Sequence, residues 1–228
     1  MNSTEYSSYI FDCDGVILNS NEVKSRAFYK LALPLGSNIA TQFVEYHKAN
    51  GGISRFKKIE YLLNSLMPLA NTTLIKGLKS FDYDSLLSKY SELVLESLLK
   101  CEVTPALKFA RYQTANANWF IVSGGDQSEL RNVFSELGLS VLFNGGIFGS
   151  PSTKEEIFEK IISQSMLKLP AVFFGDSLYD YSCAKRFGLD FVFVSSWTDV
   201  KDWQSFVKEN DLREVPKVSD FFPSPSAL

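Results

Sequence analysis

The sequence predicts an α/β fold: a doubly wound parallel sheet of five strands, with an α-helical segment inserted after the first strand. Three observations lead there. From Thr104 onward, helical periodicity alternates with short apolar runs, the pattern of parallel crossover connections. Residues 20–95 keep helical periodicity with no strand signal. The first apolar run, Tyr9, Ile10 and Phe11, stops at two carboxylates, Asp12 and Asp14, and ligands in such sheets bind outside the carboxyl ends of the strands. The expected organisation is a core from residues 1–19 and 96–228 and a helical domain from residues 20–95.

Taken in order, the elements follow from local chemistry. Gly15 allows a sharp departure from the first strand, and residues 15–20 form a turn and flap. Val23, Ala27, Phe28 and Leu31 recur at helical spacing until Pro34 and Gly36 close that helix. Helical patterns then cover 39–49, 54–66, 72–79 and 84–99. In the second half, helices at 105–114, 127–137, 154–165 and 178–187 alternate with strands at 119–122, 141–143, 171–174 and 191–194. Trp203, Phe206 and Val207 suggest a short surface helix, and the tail past Phe222 reads as frayed.

Composition narrows the function classes. At 228 residues and 45% hydrophobic content, the chain has material for one packed domain and a modest insertion. A net charge of −3 and a pI near 5.3 offer no basic surface for a nucleic-acid backbone. The opening MNSTEYSSYIFDCDG lacks the basic and apolar regions of a leader, and no run approaches the roughly 20 apolar residues of a membrane helix. The expectation is a soluble cytoplasmic protein, a monomer or weak dimer, with neither nucleic acid nor membrane as partner. Three dispersed cysteines form no CxxC pair, and strand alternation turns Cys13 into the core. A single histidine, His47, leaves little room for a Ser-His-Asp triad, so chemistry here runs on carboxylates.

Asp12 and Asp14 project to one side of a strand end, where two acids repel unless a cation lies between them. A hard divalent ion with oxygen ligands, such as Mg2+, would meet that need; ordinary strand-end turn residues are the alternative. Downstream, Ser123 closes an Ile121-Val122 run beside Gly124 and Gly125, Lys154 opens a helix, and Asp176 and Asp180 sit four apart where a strand becomes a helix. A helix N-terminus favours acids for its own sake, which accounts for one of that pair more readily than for both.

As a set, Asp12-Cys13-Asp14-Gly15-Val16, Ser123 in IVSGG, Lys154 in GSPSTKEEI and the GDSLYD run resemble the four motifs of the haloacid dehalogenase superfamily of phosphotransferases. The resemblance extends over residues 8–195, and the helical segment resembles the cap of the phosphoglycolate-phosphatase and β-phosphoglucomutase branch. It implies Asp12 as nucleophile, Asp14 as general acid and base, Ser123 and Gly124 as phosphoryl donors and Lys154 as charge stabiliser. Asp12, Asp176 and the carbonyl of Asp14 are implied as Mg2+ ligands, with Asp180 as their outer partner or the partner of Lys154. In the helical segment, Gly51-Gly52 followed by Ser54 and Arg55 resembles the specificity loop of the mutase branch, which implies that Arg55, with Lys58, contacts the substrate's non-reacting end. The function expected is hydrolysis of a small sugar or organic-acid phosphate. A phosphosugar mutase uses the same residues. A signalling receiver needs no acid two residues past its Asp, and a catalytically dead binding module usually loses a motif residue, whereas none is missing here.

Overall fold

A computed structural model of the chain describes residues 6–71 and 81–222. Its centre is a six-stranded, wholly parallel sheet in the order β3-β2-β1-β4-β5-β6. The strands are β1 (Ser8–Phe11), β2 (Asn118–Asp126), β3 (Gly146–Ser150), β4 (Ala171–Gly175), β5 (Asp190–Val194) and β6 (Arg213–Val215). Strand β1 lies between β2 and β4, with Phe11 opposite both Ile121 and Phe174. Its side chains alternate between two cores: Tyr9 and Phe11 join Trp119 and Phe174 on one face, and Ile10 joins Phe120 and Phe173 on the other. Burial on both faces is why these strands read as unbroken apolar runs.

Helices α1 (Asn21–Ala32), α2 (Ser37–Ala49), α3 (Arg55–Tyr61) and α4 (Tyr83–Leu98) follow β1 as a group. They pack on one another through Phe28, Phe43, Ile59 and Tyr90, all buried. The crossovers of the sheet are α5 (Leu107–Gln113), α6 (Gln127–Glu136), α7 (Lys154–Ser163) and α8 (Leu178–Arg186), followed by the short α9 (Trp203–Glu209).

The structure corrects the sequence reading in three places. The expected strand at 141–143 is a single 3-10 turn, Ser140–Leu142, in which Val141 faces solvent while Leu142 and Phe143 tuck into the core. The real β3 lies a few residues on, where flanking glycines leave only Ile147 and Phe148 as an apolar signal. The sheet has a sixth strand, β6, because a three-residue edge strand bearing Arg213 and Glu214 needs no apolar run. The helix expected at 54–66 stays α-helical only to Tyr61, then widens to a π turn over Leu62–Leu66 and tightens to a 3-10 turn over Met67–Leu69, where Pro68 cannot continue the ladder. The helix expected at 72–79 and the tail beyond Phe222 lie outside the described residues.

Candidate active site

Asp12 is the first residue past β1, and its N–H donates to the Phe174 carbonyl at 2.9 Å, so the central strand fixes its position to the backbone of β4. The chain then turns on Gly15, whose φ is +73°; a Cβ there would lie 2.0 Å from Asp176 Oδ2. That approach brings Asp14 and Asp176 to one spot, and no residue but glycine permits it. Asp176 follows β4, and Ser177 caps α8 in a reciprocal box with Asp180. Lys154 opens α7 behind a second box made by Thr153 and Glu156. Two capped helix starts therefore aim Lys154 and Asp180 at each other beneath the end of β1.

The result is a buried ionic cluster. Lys154 Nζ, fully enclosed, lies 3.0 Å from Asp12 Oδ1 and donates to Asp180. Burial opposes its charge, but Asp12 and Asp180 outweigh burial and hold the ammonium protonated. Asp180 spends its other oxygen on the Ser177 amide and hydroxyl. The Asp12 carboxyl is pushed up to about 7, first by burial and against the pull of Lys154. Asp176 is raised well above the carboxylate range by burial and by the neighbouring Asp12 and Asp180. Asp12, Asp176 and Asp180 each place an oxygen within 4.8 Å of the others. One lysine cannot neutralise three buried acids, and among the described residues Asp12 Oδ1 has no aligned hydrogen-bond donor. An oxygen-only donor set short of positive charge fits a hard divalent cation such as Mg2+.

Asp14 occupies a different setting. Its carboxylate takes a 2.5 Å ion pair from Lys24 and a 2.5 Å hydrogen bond from the Ser20 hydroxyl. Burial would raise it, but Lys24 outweighs burial and holds it below the usual range, so it rests as a base. Asn21 donates to Asp176 Oδ2 at 2.9 Å and to the Trp197 carbonyl at 2.8 Å, and Thr198 donates to the Asp176 carbonyl. The sequence reading missed Ser20, Asn21 and Lys24; their only signal is that they open α1 immediately after the Asp14 turn. Cys13 is buried and its thiol is pushed well up by burial, as befits a core residue.

A cavity of about 580 Å³ opens over Asp12, Asp14 and Asp176 and is roofed by α1, α2 and the Gly51–Arg55 loop. Gly124 and Gly125 line it, whereas Ser123 is fully buried behind them and accepts from the Gly125 amide at 3.1 Å. A Cβ on Gly124 would meet the Gly52 carbonyl at 2.2 Å, so the roof rests directly on β2.

Arg55 and Lys58 both border this cavity, yet their surroundings differ from those expected of two substrate cations. The Arg55 guanidinium pairs with Glu129 at 2.7 Å and stands 3.5 Å from Asp126, so it ties α3 to the start of α6. Removing one partner of such a buried pair typically costs about 3–5 kcal/mol, because the other charge is stranded. Arg55→Ala should therefore lower the denaturant midpoint clearly, and Arg55→Ala with Glu129→Ala should recover most of the loss. Equal midpoints for Arg55→Ala and wild type would release Arg55 for substrate instead. Among the described residues Lys58 touches no carboxylate; its Nζ faces His47 Nδ1 at 2.8 Å.

Comparison with known proteins agrees with this construction. The family model described as haloacid dehalogenase-like hydrolase matches residues 6–188. β-Phosphoglucomutase from Clostridium difficile superposes with a TM-score of 0.69 at 18% identity, covering 94% of this chain and 92% of that one. The hydrolase of this family from Streptococcus pneumoniae, SP0104, gives 0.58 at 14% identity over 93% and 95%. YfnB of Bacillus subtilis, provisionally assigned as such a hydrolase and solved bound to magnesium, gives 0.62 at 17% identity over 95% and 97%. No curated protein matches the chain. With the family model spanning most of its length and its fold shared with these solved structures, the chain belongs to the haloacid dehalogenase-like hydrolase family.

Proposed function

We propose that the protein is a Mg2+-dependent phosphatase of a small phosphorylated metabolite, acting through an aspartyl-phosphate on Asp12. The observation that carries this reading is the enclosed Asp12–Lys154–Asp180 cluster, joined by Asp176, at the floor of a cavity sized for a metabolite. Residues 20–95, which hold α1 to α3 and all but the last three residues of α4, serve as the cap, and residues 1–19 and 96–228 as the core.

A divalent cation held by Asp12, Asp176 and the Asp14 carbonyl would supply the positive charge that lets a carboxylate approach a phosphate dianion. Asp12 attacks phosphorus while the ester oxygen departs, and Lys154 holds the Asp12 carboxylate in line and offsets charge on the transferring group. The amide groups beside Ser123 and Gly124 bind the phosphoryl oxygens. Asp14 gives its proton to the departing alkoxide and then takes one from the water that cleaves the acyl phosphate, returning Asp12 free. Asp14 must first gain that proton, so Lys24, which holds it ionised at rest, has to yield when substrate binds.

Phosphate release from sugar and organic-acid phosphates tests the reading. Activity should vanish on chelation and return with Mg2+; a rate indifferent to chelator would contradict it. Asp14→Asn should slow alkyl phosphates by about 10²- to 10⁴-fold and p-nitrophenyl phosphate far less, since nitrophenolate leaves without a proton. Equal losses on both would remove the general-acid role.

A further inference from the structure

Of the three acids that could hold a divalent cation, Asp12 and Asp180 are steadied by Lys154, whereas Asp176 is held from elsewhere. Asn21 Nδ2 donates one proton to Asp176 Oδ2 at 2.9 Å and the other to the Trp197 carbonyl at 2.8 Å. The next residue, Thr198, donates its hydroxyl to the Asp176 carbonyl at 2.5 Å and accepts from the Val200 amide at 3.0 Å. These bonds close a ring that runs from the Asp176 carboxylate through the Asn21 amide, the Trp197 carbonyl and the Thr198 hydroxyl back to the Asp176 carbonyl. Side chain and backbone of one acid are thus fixed by the loop that follows β5, with Asn21, the first residue of α1, as the link. Asn21 and Asp176 are 155 residues apart in sequence, and Gly15 lets them meet. A Cβ on Gly15 would lie 2.0 Å from Asp176 Oδ2 and 2.7 Å from Asn21 Nδ2.

A tie between α1 and the loop would need only the Trp197 bond; the bond to Asp176 Oδ2 is spent on a carboxylate of the cation site. Asp176 is 6% exposed, so little water is available to orient it. Partners of this kind, which touch a ligand and not the ion, set a ligand's rotation and the site's affinity. We propose that Asn21, braced by Trp197 and Thr198, is a positioning residue for the divalent cation: it fixes the Asp176 carboxylate in the orientation that meets the ion. Mg2+ demands near-ideal octahedral geometry whereas Ca2+ accepts a flexible shell, so a fixed carboxylate favours Mg2+ more than Ca2+. This rests on the cation site of the phosphatase reading and adds to it a residue outside the motif runs. Asn21 does not touch the reacting atoms; it acts through Asp176.

Thermal midpoints of the full, substrate-free chain, titrated with MgCl2 or CaCl2 at constant ionic strength, read both affinities without turnover. Asn21→Leu, close in size but without the donor, should weaken Mg2+ binding by about 10- to 100-fold, the usual cost of losing such a partner, and Ca2+ binding by less. The Mg2+ concentration that half-activates phosphate release should rise by the same factor, while the rate at saturating Mg2+ stays close to that of wild type. Thr198→Val should weaken Mg2+ binding in the same direction and Thr198→Ser should preserve it, which carries the test if Asn21→Leu does not fold. A lowered metal-free midpoint with unchanged affinity for both ions would make Asn21 a structural tie and overturn the proposal. An equal loss for Mg2+ and Ca2+ would also overturn it, since the site would then be disturbed as a whole. Selective loss of Mg2+ affinity in a protein that releases no phosphate from sugar or organic-acid phosphates overturns the phosphatase and keeps the positioning role. Chelator-sensitive phosphate release with the same Mg2+ dependence in Asn21→Leu as in wild type does the reverse.

Discussion

Asp12→Asn is expected to cut phosphate release by at least about 10³-fold while leaving the fold intact, because it removes the attacking oxygen and weakens the cation site in one step. The fold should survive for an electrostatic reason. The Asp12 carboxyl is pushed up to about 7 by burial, so its negative charge is already disfavoured, and Lys154 keeps Asp180 as a partner when Asp12 is neutralised. A thermal midpoint at or above that of wild type, together with lost turnover, is the expected pair of results. Asparagine at such a site can revert by deamidation, so the mass of the variant must be checked. A variant of confirmed mass that retained more than a few per cent of wild-type activity would remove Asp12 as nucleophile.

Lys154→Met should be damaging in two separable ways. Among the described residues its ammonium is the only buried cation touching Asp12 and Asp180, and both side chains lie almost wholly out of solvent. Stranding these acids should cost about 3–5 kcal/mol of stability, read as a lowered urea midpoint. The loss of a preorganised cation at the transferring phosphoryl group should slow kcat by about 10²- to 10³-fold on alkyl and nitrophenyl esters alike. Added Mg2+ should raise the variant's midpoint more than that of wild type, since the ion replaces some of the missing charge, but should not restore turnover. Recovery of activity along with stability would mean that Lys154 holds the site together and does nothing in the transfer itself.

The parts of the fold that could be read in advance were those set by strong local chemistry. Tyr9, Ile10 and Phe11 read as a doubly buried strand because both of their faces are covered, and Asp12 then had to stand at its carboxyl end. The helix starts at Lys154 and Leu178 were readable as well, and in the structure they are held by capping boxes at Thr153 and Ser177. Strand β3 escaped notice because two glycine-flanked apolar residues leave too weak a signal, and β6 because a charged edge strand carries none. In the site, the motif residues could be named but their charge partners could not. Lys24 and Asp14 are ten residues apart, and nothing in that spacing discloses an ion pair across a turn. Arg55 illustrates the same limit: a glycine break and a helix start suggested an anion site, whereas Glu129, distant in sequence, takes the guanidinium.

Covalent catalysis at Asp12 is the claim on which the rest depends, and trapping the acyl phosphate tests it most directly. Wild-type protein would be mixed with Mg2+ and a turned-over phosphate ester, quenched in acid during the steady state and reduced with borohydride. Peptide mass spectrometry would then locate any reduced residue. Reduction of an aspartyl-phosphate leaves homoserine, and it is expected at position 12 and nowhere else, absent when substrate is omitted. Phosphate release at full rate with an unmodified Asp12, or with homoserine at Asp14 or Asp176 instead, would contradict it.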